Sequence, residues 1–482
     1  MSTPLQNLAR DFIGLDTRYP LAGGGEGRRI YLDSAASTLM LGAARRLGDA
    51  FLAHYANTHS DLHYGARIST ACYHWAHEQV LRFLRADPAE YCCVFGGSGA
   101  TAMINRAAGA LARLRPERDT VLVSVMEHHS NDLPHRAHSG RIEHLPLTGQ
   151  PPRTGALDLE AVAGRIRAHG ERINYIALTG ASNVTGILNP VAEVVRLARE
   201  HDIWVLVDCA QQLVHWPPDL SGEHAPDLVF FSGHKAYAPG SPGALVGRRA
   251  ILDRIEHLEL GGGMVEEVFL EEYVPAAGLP ERLEAGTPNI LGAVTLGGAL
   301  ACLSEPGHDA LREHEQALTR ALVAGLEGIE GVRVYGDTDL DRTPRTGIAS
   351  FNLEGLDHGL VAAALNDYHG IALRNECFCA HPYVKEMLRE ELWALDIDPE
   401  APAAEEIIRR KRGMVRASLG IYNTAADVAA LLEGVRDLLT RREELIRLYE
   451  PTPDGNYRHR SFRPEPGELF DPAAVLRTSR AG

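Results

Sequence analysis

At 482 residues the chain is longer than a single hydrophobic core usually grows, so two or three domains are expected. A formal net charge of -16 leaves no basic excess to neutralise phosphates, which excludes nucleic acid and anionic membrane surfaces as partners on charge grounds. The N-terminus lacks the pattern of a signal peptide, no run reaches the roughly 18 apolar residues of a membrane span, and seven scattered cysteines suit free thiols, so a reducing cytoplasm is the expected location.

Residues 1–28 read as a polar, flexible lead-in ending in Gly23-Gly24-Gly25. Residues 30–33 suggest a short strand, followed by a turn-like Ser34-Ala35-Ala36-Ser37 and a helix over about 39–54. The stretch 57–68 reads as irregular, and an alanine-rich helix is expected over about 70–85. From Cys92 onward apolar runs alternate with helical segments. Strands are predicted over 92–95, 121–125, 173–178, 204–207 and 228–231, with helices over about 101–114, 159–169 and 190–200. That alternation argues for an α/β chain with a parallel sheet covered on both faces. Glycine and proline enrich 260–289, a crossing between a large domain, 29–290, and a smaller α+β domain, 291–440, that opens with a long helix. Within the second, 385–412 reads as a charged, solvated helical insertion; beyond it, 441–482 reads as a loosely packed tail or an arm wrapping another subunit.

Four stretches carry candidate chemistry. Gly97-Ser98-Gly99-Ala100-Thr101-Ala102 joins a strand to a helix. It fits a weak dinucleotide template, a phosphate cradle, or simply a tight turn. Glu127-His128-His129-Ser130-Asn131 follows a strand; its paired histidines invite a metal, but adjacent residues point to opposite sides, leaving a solvated loop or an aromatic or acid–base role for one ring. Asp208 and Lys235 end consecutive apolar runs, so both should face one crevice at the sheet edge, with Asn183 nearby. Asp208 is either a turn cap or a carboxylate holding a protonated ring nitrogen, and Lys235 either a surface lysine or an amine desolvated enough to attack a carbonyl. Arg374-Asn375-Glu376-Cys377-Phe378-Cys379-Ala380-His381 could be half a zinc site, a pair of ordinary cysteines, or a nucleophilic thiol favoured by Arg374 and His381.

Taken together, these residues resemble a known family. Tyr31-Leu32-Asp33-Ser34-Ala35-Ala36-Ser37, the Glu127–Asn131 run, Ser232-Gly233-His234-Lys235, Ala285-Gly286-Thr287-Pro288-Asn289, Cys379-Ala380-His381-Pro382 and Arg416-Ala417-Ser418-Leu419 look like the motifs of class V aminotransferase-like, fold-type I pyridoxal-phosphate enzymes, in the cysteine desulfurase and selenocysteine lyase branch. The likeness spans about residues 29–440. It implies a mostly parallel seven-stranded sheet and a homodimer. It implies that Lys235 forms a Schiff base with pyridoxal 5'-phosphate, that His128 stacks on the ring, that Asp208 pairs with its nitrogen and that Gln211 meets its oxygen. Ala100, Thr101, Ser232 and His234 would surround the phosphate, with Thr287 supplied by a second subunit. Asn183, Arg374 and Arg416 would hold an amino-acid substrate, and Cys379 would accept its sulfur or selenium, leaving alanine and a persulfide for a possible acceptor protein. The alternative within the family is a C–S β-lyase, an epimerase or an aminotransferase. No metal is implied.

The chain departs from that pattern in four places. His59-Ser60-Asp61-Leu62-His63 loses a cation near the site mouth, and Cys377 and Phe378 stand where the branch has histidines. The charged insertion and the tail are extra.

Overall fold

The structure is a computed structural model and describes residues 3–58, 60–393, 411–453 and 455–479. His59 and most of the expected insertion therefore lie outside the described residues. Seven strands form the large sheet: β1 (Tyr91–Gly96), β2 (Thr120–Ser124), β3 (Arg141–Leu145), β4 (Ile173–Thr179), β5 (Trp204–Asp208), β6 (Leu228–Ser232) and β7 (Gly243–Arg248). Their spatial order is β1-β7-β6-β5-β4-β2-β3, with β7 antiparallel to both neighbours and the other pairs parallel. The expected mostly parallel seven-stranded sheet is present.

The unbroken apolar runs have a direct physical cause. In β6, Leu228 and Phe230 join the core on one face while Val229 and Phe231 join the core on the other. β5 divides the same way, with Val205 and Val207 on one side and Trp204 and Leu206 on the other. Each fully buried side chain of this size contributes about 1.5–3 kcal/mol, so the strands that end at the site are the firmest part of the fold. Two strands escaped the sequence reading. β3 is the sheet edge, and β7 is a short run bounded by glycines.

Helices α1 (Gly42–Leu52), α2 (Tyr64–Phe83), α3 (Gly99–Leu114), α4 (Leu159–His169) and α5 (Val191–Arg199) belong with this sheet. α2 begins six residues before the expected start because His63 caps it, its Nδ1 accepting from Ala66 N–H at 3.2 Å. Helix α6 (Ile290–Ser304) packs on α1 and α2 and shares their core, while the smaller core is assembled from α7 (His308–Glu327) onward together with Ile30 and Leu32. That smaller layer carries β8 (Val332–Val334), β9 (Ile348–Leu353), β10 (Arg374–Glu376) and β11 (Met414–Ser418) in the order β8-β9-β11-β10. Helix α8 (His358–His369) packs against these strands, and α9 (Ala425–Thr440) packs on α7 and α8.

Both ends of the chain are more ordered than their composition suggested. The lead-in forms a short helix, Pro4–Leu8, and a hairpin pairing Arg18–Pro20 with Glu26–Arg28. The tail adds a helix, Arg442–Leu448, and a hairpin pairing Tyr449–Pro451 with Tyr457–His459, both anchored by the buried Leu445 and Tyr449. No single helix among the described residues is long and apolar enough to cross a membrane.

Candidate active site

The carboxyl ends of β4, β5 and β6 open into a cavity of about 560 Å³ lined by Gly97, Ser98, Gly99, Ala100, Thr101, His128, Ser130, Thr179, Asn183, Asp208, Gln211, Ser232, His234 and Lys235 among others. It gathers most of the residues singled out from the sequence, and its place at the strand ends follows the general rule for open α/β sheets. Thr287 lies outside the lining; it is exposed, and Asn57 Nδ2 donates to its Oγ1 at 3.5 Å.

One end of the cavity is built for an anion. Gly97 (φ +52) and Gly99 (φ +65) take left-handed conformations, and a Cβ on Gly99 would stand 2.5 Å from Ser232 Oγ. Side chains are excluded from these two positions on both counts. The 16-residue α3 starts there, and Ser98 at its N-cap makes no side-chain capping bond, so the positive end of the helix faces the cavity. Ser232 Oγ accepts from Ala100 N–H (2.8 Å), Thr101 Oγ1 and Ser130 Oγ are 2.7 Å apart, and His234 Nδ1 lies 3.2 Å from Ser37 Oγ.

The middle of the cavity holds a buried amine, a buried carboxyl and a neutral imidazole. Burial pulls Lys235 down to about 8, against the pull of Asp208 in the other direction. Burial also raises Asp208 above the ordinary carboxylate range, with Lys235 and the Ala210 N–H (2.9 Å to Oδ1) opposing. A carboxyl in that position gains from any cation brought beside it. His128 is lowered to about 4 by burial and then by Lys235, so its ring is uncharged; its Nδ1 accepts from Ser130 N–H at 3.1 Å. Gln211 Nε2 donates to Ala35 O at 2.7 Å. These features fit a phosphorylated pyridine aldehyde: an anion cradle, a flat neutral ring to lie against, a carboxyl awaiting a cation and an amine able to lose its proton.

The third part comes from the smaller layer. Arg374 and Arg416 stand directly opposite each other on β10 and β11, a like-charge pairing that would repel if left alone. Asp33 resolves it, with Oδ2 receiving Arg374 Nε and Oδ1 receiving Arg416 Nη2, both at 3.2 Å. Arg416 is 2 % exposed, also donates to Asn183 O (2.8 Å), and its buried Nε has no partner among the described residues.

Past β10 the chain crosses Glu376, Phe378 and Cys379 in left-handed conformations (φ 95, 52 and 55), a backbone that costs about 1–3 kcal/mol per non-glycine residue and persists only where surroundings impose it. Cys379 is exposed on that loop and close enough to Lys235 and Arg416 to act on both electrostatically. The sequence paired this thiol with Arg374 and His381, but the structure gives both side chains other partners. Arg374 binds Asp33, and His381 Nδ1 lies 3.0 Å from His129 Nε2, the imidazole being lowered by partial desolvation. Cys377, buried, points away and donates to Arg412 O at 3.1 Å.

Asp33, Ser130 and Thr179 carried no assigned role in the sequence reading, and neither did Glu127. Burial pushes Glu127 up to about 8 even though Asn131 Nδ2 (2.6 Å), Thr179 N–H (2.9 Å) and Ser124 Oγ all donate to it. Among the described residues no three His, Cys, Asp or Glu side chains converge as a metal set.

Comparison with known proteins agrees with the geometry. The family model described as aminotransferase class-V matches residues 30–431. A probable cysteine desulfurase of Halalkalibacterium halodurans is 33% identical over 412 residues, 84% of this chain and 92% of that protein. A cysteine desulfurase of Yersinia pseudotuberculosis is 32% identical over 455 residues, 92% of this chain and 100% of that protein. The solved cysteine desulfurase CsdA from Escherichia coli superposes with a TM-score of 0.73 at 29% identity, covering 91% of this chain and 99% of its own. With the match running from the strand before Asp33 to the helix after Arg416, the chain belongs to the class V aminotransferase family.

Proposed function

We propose that the chain is a pyridoxal-phosphate-dependent cysteine desulfurase, taking sulfur or selenium from a free amino acid onto Cys379 and releasing alanine. One observation carries this reading: an exposed thiol lies within electrostatic reach of a lysine of lowered pKa, inside a cavity that also carries an anion cradle. Bound pyridoxal phosphate would supply an electron sink for the carbon next to the substrate nitrogen.

The chain's residues supply the rest. The turn at Gly97–Thr101, with Ser232 and His234, would hold the phosphate, His128 would lie against the ring, and Asp208 would keep the ring nitrogen protonated. Gln211 would meet the ring oxygen. Arg416 and Asn183 would take the substrate carboxylate, with Arg374 at the rim. Lys235, once its amine is free and neutral, accepts the α-proton and can return it to the β-carbon. Cys379, giving up its thiol proton, attacks the substrate sulfur; the S–S bond forms as the C–S bond breaks and leaves its electron pair on the β-carbon. With one proton on that carbon from Lys235 and one on the α-carbon, equivalent to the proton Cys379 released, alanine is complete. A second copy of the chain would place its Thr287 at the phosphate, making a homodimer the working unit, and an acceptor protein would then draw off the sulfane sulfur.

The test is direct. Incubated with cysteine, selenocysteine or cysteine sulfinate, the purified protein should form alanine, with a persulfide mapped to Cys379 after cysteine. Pyruvate, ammonia and sulfide in place of alanine, with no sulfur on Cys379, would move the assignment to a C–S lyase.

Two further outcomes follow from the charges. Asp208→Asn should cut alanine formation by about a hundredfold or more, because the isosteric amide cannot keep the ring nitrogen charged. Steady-state assay and the visible spectrum of the bound cofactor check this together. The pH dependence has a definite sign. Burial disfavours ammonium at Lys235, so the reactive neutral amine accumulates as pH rises through about 8. Recombination of cofactor-stripped protein with pyridoxal phosphate should therefore quicken between pH 7 and 9 and level off above. A rate flat to pH 9 and rising only near the ordinary lysine range would contradict it.

A further inference from the structure

The loop that carries Cys379 is held in an unfavourable backbone conformation, and the question is what holds it. From its own layer come the Ala380 N–H to Cys377 O bond (2.9 Å) and the Arg416 guanidinium, 4.6 Å from the Phe378 ring centroid. From the large domain come Asn183 Nδ2, donating to Phe378 O at 2.6 Å, and the N–H of His129, donating to Cys379 O at 2.7 Å. Phe378 and Cys377 also pack in one cluster with Met126 and Val184 of the large domain.

His129 makes a second connection with its ring. Its Nε2 lies 3.2 Å from the backbone N of His381 and 3.0 Å from His381 Nδ1, and the two imidazoles stack with centroids 4.8 Å apart and planes 8° from parallel. A backbone N–H can only donate, so His129 Nε2 must present its lone pair, and the proton of the His381 ring then sits on Nδ1. Burial lowers both imidazoles, which keeps that lone pair free. A single nitrogen thus receives two donors from the residue that starts the helix His381–Met387, two positions after the thiol.

We infer that His129 is a positioning residue for Cys379: its ring, through His381, and its backbone, through Cys379 O, latch the strained 376–380 loop to the end of β2 so that the thiol faces the cavity. His128 and His129 then divide the labour of one tip, His128 turned to the cavity and His129 to the loop. The inference rests on the sulfur-accepting role proposed for Cys379, but the latch is a geometric statement that can be tested by itself.

The variants are His129→Leu, which removes the acceptor, and His129→Gln, whose side-chain oxygen can reach the place of Nε2. In the holoenzyme, His129→Leu should keep the visible spectrum of the bound cofactor and a KM for cysteine within about twofold of wild type. Its kcat for alanine should fall about ten- to a hundredfold, as expected when a reacting group shifts by around an ångström. His129→Gln should recover most of that loss. Independently of turnover, Cys379 in His129→Leu should be alkylated by iodoacetamide several-fold faster, with His129→Gln again near wild type, since a released loop exposes its thiol more often. Wild-type alkylation and kcat in His129→Leu would overturn the inference, as would equal losses in the Leu and Gln variants. Should the wild type form no alanine from cysteine, the function reading fails while the alkylation series still decides the latch.

Discussion

Lys235→Ala is expected to abolish turnover, by roughly a thousandfold or more, and to remove the visible band of lysine-bound cofactor from the purified protein. The size of the effect follows from the amine's two tasks. It would be the covalent anchor for the aldehyde and the base that takes the α-proton, and among the described residues no second amine lines the cavity to replace it. Its environment is tuned for this: burial lowers it to about 8, while Asp208 beyond it prevents a deeper fall. The fold should survive the change, because residues 228–231 bury their side chains into both faces of the sheet and Lys235 lies beyond the strand on a short turn. Circular dichroism and thermal melting should therefore match the cofactor-free wild type, while absorbance and alanine assays are silent. Retention of the visible band in Lys235→Ala would transfer the anchor elsewhere and overturn the site assignment.

The same strands explain what could be read in advance. Asp208 and Lys235 were legible because each ends or follows an apolar run long enough to be a strand buried on both faces, and consecutive parallel strands end on one side of the sheet. Residues whose role depends on a distant partner were not. Asp33 meets Arg416 across 383 positions of sequence, and no local pattern announces that contact. The loop chemistry misled for the same reason: Arg374 and His381 are near Cys379 in sequence, yet their partners, Asp33 and His129, lie 341 and 252 positions away from them. His63 hid the start of α2 because histidine is an unusual N-cap. The tail looked unpacked by composition, but Glu450 gathers Arg458, Arg460 and Arg463 around the hairpin that Tyr449 buries.

Cys379→Ala carries the second large expectation, and it separates two chemistries that share every cofactor contact. Asp208 and His128 make no bond to the thiol and Lys235 feels it only electrostatically, behind burial and Asp208, so the variant should bind pyridoxal phosphate and still exchange the α-proton of cysteine with solvent deuterium. Alanine formation should fall by about a thousandfold, since removal of a nucleophile leaves no acceptor for the sulfur. Backbone strain sharpens the comparison. Position 379 is left-handed, alanine tolerates that region no better than cysteine, and the His129 N–H to Cys379 O bond is main-chain and persists, so the loop should stay where it is. Cys377→Ala is the matched control: its sulfur is buried, turned to Arg412 O and away from the cavity, and its loss should leave turnover within about twofold. If alanine formation survives in Cys379→Ala but disappears in Cys377→Ala, the sulfur goes to the buried thiol and the loop must open. If it survives in both, an acceptor other than these two thiols takes the sulfur; a C–S bond broken by elimination would instead show as pyruvate, ammonia and sulfide in place of alanine, with the exposed cysteine a bystander.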